Sequence, residues 1–95
     1  MQKISSDIVN EIDKQRKGKH DIDTTIIHIM EEIGEIAREI YSEKIGRAEL
    51  DIKNLRGEFA DVYMLLAHLA NHLSIDLENS IKEKIEELKK RFDLK

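Results

Sequence analysis

Apolar residues recur every three to four positions along almost the whole chain and nowhere alternate with a period of two, a pattern that predicts helices and no strands. A first helix is expected from about Ser6 to Arg16, with Ile8, Val9 and Ile12 as a narrow apolar stripe and Ser5 or Ser6 as its cap. Lys17-Gly18-Lys19-His20 breaks it. Asp21 or Asp23 can then cap a second helix carrying Ile22, Ile26, Met30, Ile33, Ala37, Ile40 and Tyr41. A polar connector containing Gly46 follows from about Glu43 to Lys53, and the pattern leaves its conformation open.

The third helix, about Leu55 to Leu73, is apolar over most of its circumference, with Phe59, Val62, Tyr63, Leu66, Leu69, Ala70 and Leu73 on the main stripe. Such a helix is expected to be buried. Ser74 and Asp76 restart the chain into a fourth helix with the stripe Leu77, Ile81, Ile85, Leu88 and Phe92, its other faces being mostly Lys and Glu. No internal repeat or domain boundary interrupts residues 1–95, so one all-α domain is expected. Four helices in so short a chain make a thin subunit, and small chains bury proportionately little surface. The expectation is a four-helix bundle completed by homo-oligomerisation, with a loosely packed monomer as the alternative.

Composition narrows the chemistry. Without cysteine there is no disulfide, no thiolate nucleophile and no thiolate-bound zinc or iron–sulfur cluster, so any metal must be held by oxygen or imidazole. No 18-residue apolar run and no signal-peptide-like start are present, which leads to the expectation of a cytoplasmic, soluble protein without membrane partners. A net charge of −4 and few aromatic residues argue against nucleic-acid binding. P-loops and glycine fingerprints are missing.

Most acids on helices are ordinary solvated surface. Glu58 is different: advancing about 100° per residue, it falls between Leu65 and Leu69, inside the apolar stripe of the third helix. A carboxylate there needs a cation or a proton to offset its desolvation. Asp61, three residues on, points to nearly the same side. Glu32 and Glu35 form a matching pair on the second helix, Glu32 at the edge of the apolar stripe and Glu35 pointing away from its centre, where plain solvent exposure is equally allowed. Packed antiparallel, the two helices can gather four carboxylates into the oxygen-rich setting that Mg²⁺ prefers. Gly34 and Gly57, each immediately before Glu35 or Glu58, either permit a close backbone approach or are merely tolerated.

Glu31-Glu32-Ile33-Gly34-Glu35 followed by Glu58-Phe59-Ala60-Asp61 resembles the EExxE and ExxD motifs of the MazG-like all-α nucleoside triphosphate pyrophosphohydrolases. The likeness extends through Leu69-Ala70-Asn71-His72-Leu73, the Ile75-Asp76-Leu77 restart and Lys89-Lys90-Arg91-Phe92. It implies Mg²⁺ bound by Glu32, Glu35, Glu58 and Asp61, with Mn²⁺ as a substitute, and hydrolysis of a nucleoside triphosphate to monophosphate and pyrophosphate by a homodimer or homotetramer. Glu31 is the candidate proton acceptor, although it lies about 100° from Glu32 and suits a surface position equally well. Lys84 and Arg91 are the candidate phosphate contacts, from their place in the family-like final helix. Family members often carry an Asn in the middle of that helix, where this chain reads Lys84-Ile85-Glu86-Glu87.

Three other readings compete. Phe59-Ala60-Asp61-Val62-Tyr63 is similar to a segment of phosphoribosyl-ATP pyrophosphohydrolases, which differ mainly in substrate. A non-catalytic helical adaptor explains the stripes but offers no reason for Glu58. His68 and His72, four residues apart, have zinc-ligand spacing, and His28 lies near the first acidic motif; HExxH is absent, and packing or pocket lining is the simpler expectation.

Overall fold

The computed structural model describes all residues, Met1–Lys95, and contains four helices and no strand: α1 (Gln2–Arg16), α2 (Ile22–Lys44), α3 (Ile52–His72) and α4 (Leu77–Arg91). The ends are chemically specified. Asp21 and Thr24 form a reciprocal capping box on α2, each side chain accepting from the other residue's backbone N–H at 2.9 Å. Asp51 caps α3 by accepting from Asn54 N–H, and Asp76 caps α4 by accepting from Asn79 N–H, both at 3.0 Å.

The first helix begins earlier than its sequence suggests. Ser5 and Ser6 are not caps but lie inside α1, both buried, while Met1 occupies the cap position without a side-chain bond. Burial against α3 recruits these small hydroxyl residues, which local propensity alone assigns to a helix start. The α1 start is tied to the α3–α4 turn by Gln2, whose amide donates to Asn71 Oδ1 and the Ile75 carbonyl and accepts from Leu77 N–H.

α3 lies between α1 and α2 and packs on both. Its buried residues are Leu55, Leu65, Ala67, His68 and Ala70. The expectation of a helix covered all round is therefore corrected: Phe59 is 60 % exposed, and Tyr63, Leu66 and Leu73 are exposed too, because no element of the chain covers that side. α4 buries no residue at all, and its stripe residues Ile81, Ile85 and Phe92 are exposed. The radius of gyration is 16.4 Å, against about 12 Å for a compact chain of this length. Gly34 and Gly57 show no close approach within the chain, since a Cβ on either would meet nothing within 4 Å. None of the helices is long and apolar enough to cross a membrane.

Candidate active site

The α2–α3 packing lays the two acidic motifs against each other. Glu58 of α3 is half-buried, and one of its carboxylate oxygens, Oε2, is shut away from solvent. Opposite it on α2 stands Glu39, whose Oε2 is equally shut away from solvent and whose carboxyl is close enough to share a hydrogen with that of Glu58. The Asn54 side-chain amide bridges the pair, donating one N–H to Glu39 Oε1 and the other to Glu58 Oε1 at 3.3 Å. One neutral amide cannot neutralise two carboxylates. The Glu58 pKa is accordingly pushed up from 4.5 to about 7, first by its hydrogen bond with the Glu39 carboxyl, then by burial, and then by the negative charges of Glu39, Glu35 and Glu32.

The structure thus brings Glu32, Glu35 and Glu58 into electrostatic contact and adds Glu39, which motif reasoning missed. Glu39 follows Glu32 by seven residues and Glu35 by four, so helical spacing places all three on one side of α2, but a solvated face has the same spacing. Glu35 itself is exposed and Glu32 is half-buried.

Asp61 is exposed. It shares with Glu32 and His28 the wall of a cavity of about 630 Å³ between α1, the α1–α2 turn, α2 and α3. Val9, Ile12, Met64 and Leu65 form the apolar side of this cavity. Arg16 and Lys19 also line it, and neither is engaged in an ion pair. A hollow with acids at one wall and free cations at another suits a polyanion carried by a metal ion.

The remaining predicted residues lie elsewhere. Glu31 is on the exposed face of α2. Lys84 and Arg91 do not line the cavity; on α4 they pair with Glu87 at 3.2 and 2.6 Å. His68 is buried in the α1–α3 contact, its Nδ1 2.8 Å from the Ser6 hydroxyl, and its Nε2, like that of His72, donates to the His20 carbonyl. Those bonds anchor the turn that closes the cavity.

No three Asp, Glu or His side chains converge as a ready-made ligand set for one ion. The donor type nevertheless suits a hard cation: Glu39 and Glu58 present carboxylate oxygens shielded from solvent, and Glu58 is kept from ionising by its acidic neighbours.

The MazG nucleotide pyrophosphohydrolase domain model matches residues 20–93. The chain belongs to the MazG family. The match takes in α2, α3 and α4 together with the His20 turn, and leaves α1 outside it. No curated protein and no solved structure matches the chain. Membership of the MazG family agrees with the all-helical structure and suggests nucleotide pyrophosphohydrolase activity.

Proposed function

We propose that this MazG domain hydrolyses a nucleoside triphosphate, ribo or deoxy, to its monophosphate and pyrophosphate in a Mg²⁺-dependent reaction, serving to clear unwanted nucleotides from the pool. The observation that carries the reading is the pair of solvent-shielded carboxylates on Glu39 and Glu58, set beside Glu35 and Glu32, of which Glu32 also lines a cavity with unpaired cations. Glu32, Glu35, Glu58 and Asp61 would hold the metal, with Glu39 as an additional carboxylate beside Glu58. Bound Mg²⁺, for which Mn²⁺ can substitute, supplies neutralisation of phosphate oxygens and a more acidic bound water.

The chain's own residues supply the rest. Arg16 and Lys19 face the cavity and offer charge to the outer phosphates, while Val9, Ile12, Met64 and Leu65 exclude water from its far side. Glu31 is retained as proton acceptor, and Lys84 and Arg91 as phosphate contacts, only if a second subunit brings these surfaces to the site. A homodimer or homotetramer is part of the proposal. The uncovered apolar sides of α3 and α4 and the extended shape support it, since a contiguous exposed apolar face is an association surface.

The test is release of pyrophosphate from a panel of canonical, deoxy and damaged nucleoside triphosphates and phosphoribosyl-ATP, with and without Mg²⁺. Glu58→Ala is expected to abolish release while leaving a folded protein; undiminished turnover would remove Glu58 from the site. Selective turnover of phosphoribosyl-ATP would move the chain to the neighbouring activity. The absence of both turnover and divalent-dependent stabilisation would leave an adaptor.

A further inference from the structure

His20, in the turn between α1 and α2, is tied to all three helices that wall the cavity. Toward α1, its backbone N–H donates to Asp13 Oδ2 and its ring Nδ1–H to Asp13 Oδ1, each at 2.8 Å. Toward α2, its Nε2 lies 2.8 Å from Nδ1 of His28, whose Nε2 is 3.2 Å from Glu32 Oε1. Toward α3, its carbonyl accepts from His68 Nε2 at 3.0 Å and from His72 Nε2 at 3.1 Å.

These bonds fix a segment that has no regular structure of its own. Lys17 closes α1 in the left-handed region at φ 51°, which a residue with a Cβ disfavours. Gly18, Lys19 and His20 belong to no helix. The Lys19–His20 peptide is held at both its polar atoms, since the Lys19 carbonyl accepts from the Thr24 hydroxyl at 3.1 Å and the His20 N–H is bonded to Asp13. The His20–Asp21 peptide is held by two imidazoles. What stays free at Lys19 is its side chain, which lines the cavity beside Arg16.

Neither of these cations has an ionic partner. Asp13 is the acid of α1 that shares the cavity wall with them, and both its oxygens are already engaged by His20. Two cations whose backbone is fixed before a ligand arrives lose less freedom on binding it. His72 does not line this cavity; it reaches the turn from a separate hollow of about 410 Å³ shared with Asn10 and Lys14. Its influence on anything bound inside therefore passes through the His20 carbonyl.

We propose that the turn at residues 17–21 is a preset polyphosphate clamp, in which Lys19 and Arg16 hold the outer phosphates and His72 is a positioning residue that fixes the clamp from outside the cavity. The inference rests on the nucleotide reading of that cavity. Both cations come from the part of the chain that precedes the family match at residues 20–93.

The experiment is calorimetric binding of tripolyphosphate to the full chain in the presence of Mg²⁺, beside steady-state kinetics on the nucleoside triphosphates that turn over. Wild type is expected to bind tripolyphosphate, and Lys19→Ala to weaken binding by about 10-fold or more, as loss of a charged hydrogen-bonding group does. His72→Ala should weaken binding and raise KM by about 2- to 10-fold, the worth of one neutral hydrogen bond, with kcat unchanged. His72→Gln should restore both, because its amide N–H stands as many bonds from the backbone as the imidazole Nε2. If His72→Ala fails to fold, His72→Asn gives the same contrast, being one bond too short. Unchanged binding and KM in His72→Ala, a fall in kcat alone, or no rescue by Gln overturns the positioning role. A wild-type chain that does not bind tripolyphosphate overturns the clamp. One that binds it but turns over no nucleotide overturns the hydrolase reading and leaves the clamp standing.

Discussion

The Ser6 hydroxyl of α1 and Nδ1 of His68 in α3 lie 2.8 Å apart in a buried contact. His68 is only 1 % exposed and its other nitrogen is already committed to the His20 carbonyl. Ser6→Ala removes one partner and leaves a buried imidazole nitrogen unpaired, at a cost of about 1–3 kcal/mol. Thermal or urea unfolding should show that loss. An unchanged melting temperature would mean that the contact contributes nothing net.

Metal-free stability should depend on Glu58 with a definite sign. The folded chain holds the Glu58 proton up to about pH 7, whereas the unfolded chain releases it near 4.5. Between these values the folded state binds more protons, so this contribution is complete below about pH 4.5 and is lost as the pH rises to about 7. Melting curves without divalent ion should show wild type falling relative to Glu58→Gln across that window. Mg²⁺ should raise the wild-type melting temperature most at the alkaline end, where the carboxylate is free to ionise.

Glu39→Gln keeps the shape of the side chain and removes one of the two charges bridged by Asn54. It is expected to raise metal-free stability modestly and to lower the Glu58 pKa, because the Glu39 carboxyl is the largest cause of its elevation. Divalent affinity, read by calorimetry, should fall. Unaltered affinity would make Glu39 a neighbour of the centre and not a contributor.

Ile85→Glu places a charge in the middle of the uncovered α4 stripe, where the wild-type residue is 46 % exposed. Light scattering is expected to show the wild-type chain as a dimer or tetramer and the variant as a smaller species. A monomeric wild-type chain would sink the oligomer proposal outright.

Much of this architecture was legible residue by residue. The starts of α2 and α4 were readable to within two residues, as Asp21 or Asp23 and as Ser74 or Asp76, because a short polar side chain before an apolar-periodic run favours a cap; the structure uses Asp21 and Asp76. Glu58 was readable as an exception because its angle on α3 set it among Leu65 and Leu69. Glu39 was not, since seven-residue spacing from Glu32 is equally common on a solvated face; only the seating of Asn54 between the two helices singles it out. The Ser5 and Ser6 positions misled for the opposite reason, as contact with α3 overrides a cap preference worth about 1 kcal/mol.

Sequence alone determined the number and type of the elements and the acids that distinguish the chain, because helix period and capping are properties of neighbours within a few residues. Tertiary structure decided how those acids are grouped, that Asp13, His20 and His28 line up behind Glu32, and that α3 and α4 keep apolar sides uncovered. These depend on where separate helices touch, which no local spacing encodes.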